Sequence, residues 1–213
     1  MKRAVVLASG SGTNFQHVLD CAAAGRLALD VRLLVCNSTT AHAIVRAQTA
    51  GIEVCVLPWD RGAESRGRYD DRLIDVVKRA QPEVVLLLGW MHILPPRFFE
   101  RIPAPINIHP AYLPLDPASD TVEFPDGTST PVFRGAHAVD DAFAAGVSWI
   151  GATCHLVTPD VDRGPVLARE PLAILPGEAK EAAFARLRPV EYRVLEAGID
   201  LYLRSAVPIS KGA

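Results

Sequence analysis

Val84-Val85-Leu86-Leu87-Leu88 contains only valine and leucine. A strand with no polar side is stable only where both its faces are covered, which is the setting of a parallel strand inside an α/β sheet. Arg3 to Ala8, Val31 to Cys36 and Val54 to Leu57 read as further strands of this kind. The stretches between them have helical spacing. Phe15, Val18, Leu19 and Ala22 share one side of Asn14 to Ala24, and Ala41 to Ala50 stops at Gly51. Tyr69, Leu73, Ile74 and Val77 form one face of a helix running to about Ala80. Repeated βα units predict a doubly wound, mostly parallel sheet with helices on both faces.

The second half has a different rhythm. Ile106 to His109 predicts a fifth strand. Leu115 to about Phe133 is rich in Pro, Asp, Ser and Thr, and reads as a long loop or a small hairpin around Pro125-Asp126-Gly127. A helix is expected over His137 to Ala145, then strands near Ser148 to Val157 and Val166 to Ile174. The last helix starts after Pro176-Gly177, and Pro189 should kink or restart it. With 213 residues the chain has room for one domain, 1–204, in two halves (1–100 and 101–204), followed by a tail at 205–213.

Composition removes several classes. The formal charge is −2 and there is no basic tract, which argues against nucleic acid as a partner. No apolar run approaches membrane-spanning length, so no membrane partner is expected. The N-terminus reads as a strand rather than a secretory signal, and a cytoplasmic setting is expected. The four cysteines, Cys21, Cys36, Cys55 and Cys154, form no CxxC pair and read as reduced thiols. Ligand-spaced Cys/His pairs are absent, so no metal is expected.

Ser9-Gly10-Ser11-Gly12-Thr13-Asn14 joins the first strand to the first helix. Its glycines allow a tight turn, and a helix N-terminus offers free N–H groups to an anion. The turn is either a monophosphate cradle at Gly12, Thr13 and Asn14 or a plain glycine-rich connection. A dinucleotide site does not fit: Phe15 occupies the third glycine position, and the second strand ends in Asn37 without an acid for a ribose.

Asn107 and His109 are two apart on a strand, so they point to the same side. An amide can donate to a developing oxyanion, and an imidazole can carry a proton near neutral pH. Asp162, in Val161-Asp162-Arg163-Gly164-Pro165, could orient or recharge that ring. Taken singly, each has an ordinary reading as a turn residue or a core histidine. Together they suit acyl transfer to a nucleophile. His137 reads as a surface residue at a helix start. His17, His42 and His155 carry no motif, and Trp59 and Trp149 read as packing aromatics. Trp90-Met91-His92-Ile93-Leu94 leaves the fourth strand at the sheet edge where α/β proteins bind ligands.

These segments, with Gly135-Ala136-His137, resemble the folate-dependent phosphoribosylglycinamide formyltransferases over nearly the whole chain. The resemblance implies the formyltransferase-type fold, with an antiparallel C-terminal edge. It implies transfer of formyl from 10-formyltetrahydrofolate, the co-substrate, to glycinamide ribonucleotide, with no metal. It assigns Asn107, His109 and Asp162 to catalysis, with Gly135 and His137 in support. It assigns Gly12, Thr13, Asn14, Arg188 and Glu191 to the substrate's phosphate and ribose. Met91, His92, Ile93, Leu94, Val157 and Val161 would hold the folate. A homodimer is compatible with it. The alternatives are a relative acting on another amino sugar phosphate and a formyltetrahydrofolate hydrolase. The extra domains of such hydrolases and of initiator-tRNA formyltransferases do not occur in the chain as given. Three departures stand out: residues 115–134 between Leu113-Pro114 and Gly135, His92 where the family has Arg, and Arg134 where it has Pro.

Overall fold

The central strands of the first half form because apolar stretches are covered, while the edge strand Glu53–Val56 stays partly exposed. Residues 1–205 are described, in a computed structural model; of the expected 205–213 tail, all but Ser205 lies outside the described residues. Two compact units divide at Ile106/Asn107. In the first, β1 (Lys2–Ala8), β2 (Leu29–Cys36), β3 (Glu53–Val56) and β4 (Val84–Leu87) lie in the order β3-β2-β1-β4, every neighbouring pair parallel. Val84 to Leu87 are all buried, as their composition requires. A fully buried Val or Leu contributes about 1.5–3 kcal/mol relative to an exposed one.

Three helices of this unit are α1 (Thr13–Ala23), α2 (Ala43–Thr49) and α3 (Arg66–Arg79). Phe15, Val18 and Cys21 are the buried residues of α1. In α3, Ser65 caps the first turn by accepting from the Arg68 N–H at 3.3 Å, and Tyr69, Leu73, Ile74 and Val77 form the buried stripe. A short helix, α4 (Pro96–Arg101), was not expected from the sequence. Its paired prolines look like a loop, yet Pro96 sits in the first turn, where a missing N–H costs no hydrogen bond. The chain runs β1 to β2 to β3 on one side and then crosses to β4 on the other. The order therefore reverses between β1 and β4, which is where open α/β sheets bind ligands.

The second unit contains β5 (Ile106–His109), which opens at the boundary, and the hairpin β6 (Thr121–Glu123) and β7 (Ser129–Pro131). Then come α5 (Ala138–Ala144), β8 (Trp149–Leu156), β9 (Val166–Ala173) and α6 (Lys180–Arg204). The strands order as β5-β8-β9, with β8 and β9 antiparallel. Helix α6 packs on both β8 and β9. Pro189 does not restart it: the helix runs unbroken for 25 residues. Proline removes one i to i−4 bond. Here Leu187, Val190, Val194 and Leu195 on either side are buried, and their packing holds the turn together. Among the described residues no helix is long and apolar enough to cross a membrane, and the four cysteines are free thiols.

Candidate active site

The turn after β1 has the backbone geometry an anion requires. Gly12 caps α1 at φ 69°, in the left-handed region, and no side chain caps the helix. Its first N–H groups are therefore not taken by a cap. Arg46 of α2 donates from Nε to the Ser11 carbonyl at 3.0 Å and from Nη1 to the Gln16 Oε1 at 3.3 Å, which fixes the turn's shape. A methyl group on Gly12 would lie 2.8 Å from the Ala43 Cβ and 2.9 Å from its Cα. Gly12→Ala is therefore expected to destabilise the protein by roughly 1–3 kcal/mol through strain and overlap. Its midpoint of unfolding in urea checks this, and a midpoint equal to wild type would contradict it.

The loop after β4 is tied to the same turn. The Ser9 N–H donates to the Gly89 carbonyl at 3.0 Å, and the Met91 N–H donates to the Ser9 Oγ at 3.1 Å. Met91 and Ile93 expose 59% and 66% of their surface, so two apolar side chains are free to meet a flat ligand. The other two expected folate residues behave differently. Leu94 is buried in the core. His92 packs edge-on against Trp59, Tyr69 and Trp90, at ring distances of 6.0, 5.5 and 5.5 Å. Burial, then the positive charges of Arg66 and Arg61, push its pKa below the usual imidazole value. His92 is thus a packing aromatic more than an exposed polar contact.

In the second unit, His109 faces Asp162 directly, and Asn107 reaches the same cluster through His155. The His109 ring is 4% exposed. Its Nε2–H donates to the Phe133 carbonyl at 3.0 Å, and its Nδ1 faces the Asp162 Oδ2 at 3.5 Å. Asp162 Oδ2 also accepts from the Gly135 N–H at 2.7 Å. The carboxylate sits on a turn with φ 52°, a conformation that Asp tolerates better than most residues. Strain of this kind persists where the surroundings dictate it, and it clusters at functional sites.

A fourth group joins them that the sequence reading set aside. The His155 Nε2 lies 3.1 Å from the Asn107 Nδ2 and 3.5 Å from the Asp162 Oδ1, while its Nδ1 lies 2.8 Å from the Leu156 carbonyl. A carbonyl can only accept, so the neutral ring carries its proton on Nδ1. Its Nε2 then accepts from the Asn107 amide. One N–H of that amide is used, and the second remains to donate elsewhere. The available signal was a histidine inside the mostly apolar run of β8, a buried polar group that needs a partner.

Burial lowers the pKa of His109 most strongly; the Asp162 charge and the Phe133 carbonyl oppose it without reversing it. For Asp162 burial acts the other way. Polar neighbours outweigh it, among them the Gly135 N–H that donates to the carboxylate, and hold the carboxyl at about 2. At neutral pH the pair is therefore a carboxylate beside a neutral imidazole whose unprotonated Nδ1 is turned to it. Both shifts destabilise the fold in acid. The folded His109 binds its proton less readily than the unfolded ring near 6.5, so stability falls as pH drops below that value. The Asp162 contribution is full above 3.8 and is lost as pH falls towards 2. Urea midpoints should fall between pH 7.5 and 5.0, and His109→Asn should flatten that slope. An unchanged slope in the variant would contradict the assignment.

Other expected residues are scattered. Arg188 is exposed whereas Glu191 is buried, so a spacing of three does not give them equal access to solvent. Val161 is 42% exposed and Val157 is half-buried. The His137 ring lies 3.8 Å from Asp140 with its side chain 80% exposed, so it faces solvent and not the buried cluster.

The formyl transferase family matches residues 2–123 and 128–199, an alignment interrupted only at the tip of the β6–β7 hairpin. The phosphoribosylglycinamide formyltransferase of Mycobacterium tuberculosis is 34% identical over 200 residues, covering 92% of this chain and 83% of that protein. The Escherichia coli protein of that name is 30% identical over 191 residues, covering 89% and 82%. Glycinamide ribonucleotide transformylase 1 from Geobacillus kaustophilus superimposes with a TM-score of 0.81 at 33% identity, covering 95% of this chain and 99% of that one. The corresponding structure from Bacillus halodurans gives 0.82 at 28% identity and covers 98% of each. Likeness at this level, in sequence and backbone alike and almost from end to end, makes the chain a member of the formyl transferase family, within its phosphoribosylglycinamide formyltransferase branch.

Proposed function

We infer that this protein transfers a formyl group from 10-formyltetrahydrofolate to the amine of glycinamide ribonucleotide, the purine-synthesis step its relatives are named for. The observation that carries the reading is the buried cluster of Asn107, His109, Asp162 and His155, on a chain whose family is formyl transfer.

The amine attacks the formyl carbon, and negative charge develops on the formyl oxygen. The free N–H of Asn107 donates to that oxygen; a preorganised donor of this kind is worth about 2.7–4 kcal/mol of barrier. Attack leaves an extra proton on the amine nitrogen. His109 Nδ1, unprotonated at neutral pH, takes it, and Asp162 stabilises the resulting imidazolium at 3.5 Å. The same proton passes to N10 as the carbon–N10 bond breaks. The products are the formylated amide and tetrahydrofolate, and no net proton is lost. Both ring nitrogens of His109 face protein acceptors, which favours proton carriage for this residue and leaves the oxyanion to Asn107.

The uncapped turn at Gly12, Thr13 and Asn14 suits the substrate's phosphate. The exposed side chains of Met91 and Ile93 suit the folate ring. The test is an acceptor comparison. Purified protein and 10-formyltetrahydrofolate are mixed with glycinamide ribonucleotide, with other amino sugar phosphates, or with water alone. Tetrahydrofolate should appear only with glycinamide ribonucleotide, in step with a product 28 mass units heavier, the mass of one added CO. Formate release without an amine would identify a hydrolase instead.

A further inference from the structure

The Arg134 and Arg163 guanidinium groups share one carboxylate. The Asp120 Oδ1 lies 3.2 Å from Arg134 Nη1 and 2.5 Å from Arg163 Nη2. Each arginine also holds the backbone beside Asp120: Arg134 Nη2 donates to the Ser119 carbonyl at 2.8 Å, and Arg163 Nη1 donates to the Pro117 carbonyl at 2.8 Å. The sequence positions of the two arginines matter. Arg163 follows Asp162 directly. Arg134 lies between Phe133, whose carbonyl accepts from His109, and Gly135, whose N–H donates to Asp162. Arg134 Nε reaches the Asp162 carbonyl as well, at 3.4 Å. Each backbone group that orients the His109–Asp162 pair therefore belongs to one of these arginines or to its immediate neighbour.

We propose that Asp120 is a positioning residue for the His109–Asp162 pair. By clamping Arg134 to Arg163 it fixes the distance between the Phe133–Gly135 segment and the Asp162 turn. An exposed ion pair adds little stability, and the Asp120 side chain is 75% exposed. Its effect should therefore appear in geometry more than in the energy of folding. The far end of the hairpin is anchored separately: Phe124 stacks between Tyr112 and Trp149, and the Trp149 Nε1–H donates to Asp126 at 2.7 Å. Loss of Asp120 thus frees the two arginines while the hairpin stays attached.

The proposal rests on the formyl-transfer reading for its kinetic arm, so the experiment has a second arm that does not. Asp120→Ala, Asp120→Glu and Asp126→Ala are compared with wild type. In kinetics, Asp120→Ala should lower kcat about ten- to a hundredfold, as a misplacement near 1 Å does, with KM for both substrates within about twofold. Asp120→Glu should recover most of the loss, and Asp126→Ala should leave kcat unchanged. In the second arm, nitrogen NMR of labelled histidine should show the His109 ring signals displaced in Asp120→Ala, restored in Asp120→Glu and unmoved in Asp126→Ala. His109 signals that stay at their wild-type positions in Asp120→Ala would overturn the proposal, whatever the protein acts on. So would a wild-type kcat in an active protein, or an equal loss in Asp126→Ala. Wild-type protein that fails to formylate glycinamide ribonucleotide, with the His109 signals displaced as expected, would remove the functional reading and leave the clamp standing.

Discussion

Asp162→Asn should lower kcat by about 10²–10⁴-fold, the usual contribution of positioned acid–base groups, while the protein stays folded. Asparagine keeps the shape and still accepts from the Gly135 N–H. It also tolerates the positive φ of this turn. It has no charge to stabilise a protonated His109, and its amide can donate to the Nδ1 lone pair and occupy it. The loss therefore falls on the proton transfer. KM for glycinamide ribonucleotide should change little, because the substrate's phosphate is assigned to other residues. Turnover near the wild-type rate would show that the carboxylate is not part of the proton route. A parallel fall in thermal stability would make the effect one of folding.

Gly164→Ala should have the largest effect on stability of any single methyl addition considered. A Cβ there would overlap the Leu156 carbonyl oxygen and approach its carbon at 2.7 Å. That carbonyl is backbone, so no rotamer change can relieve the clash. Leu156 is also held in place, its N–H donating to the Pro165 carbonyl at 2.9 Å. The cost should be about 3–5 kcal/mol, at the upper end for overpacking. Because Gly164 lies two residues after Asp162, activity should fall with stability even in molecules that remain folded. Urea unfolding of the variant within about 0.5 kcal/mol of wild type, the range of an ordinary surface change, would contradict the close approach.

The parts of the fold that were readable from the sequence depend on local rules. Val84 to Leu87 could only be a covered strand, and Tyr69, Leu73, Ile74 and Val77 could only share a helix face. Pro125-Asp126-Gly127 marked the hairpin tip because turn chemistry is local. Pro189 misled because its penalty is local, whereas the burial of Leu187 and Val190 that outweighs it is set by β8 and β9. Helix α4 has no local signal of this kind, since Pro96 fits a helix only once its place in the first turn is known. In the site, Asn107 and His109 were legible from a spacing of two. Asp162 became legible only as a third member, because nothing in a turn announces that its carboxylate meets a strand more than fifty residues earlier. His155 gave only the signal of a histidine within β8, and the Asp120 clamp gave none. Their roles come from which backbone carbonyls and amides lie nearby, and one-dimensional spacing does not carry that.

The proton route depends on the protonation of one ring. Nitrogen NMR of histidine-labelled protein at pH 7 reads it directly. The geometry predicts that His109 is neutral, with its proton on Nε2 and an unprotonated Nδ1 turned to Asp162. A doubly protonated ring, or a proton resting on Nδ1, would leave no open site to receive the amine's proton and would contradict it.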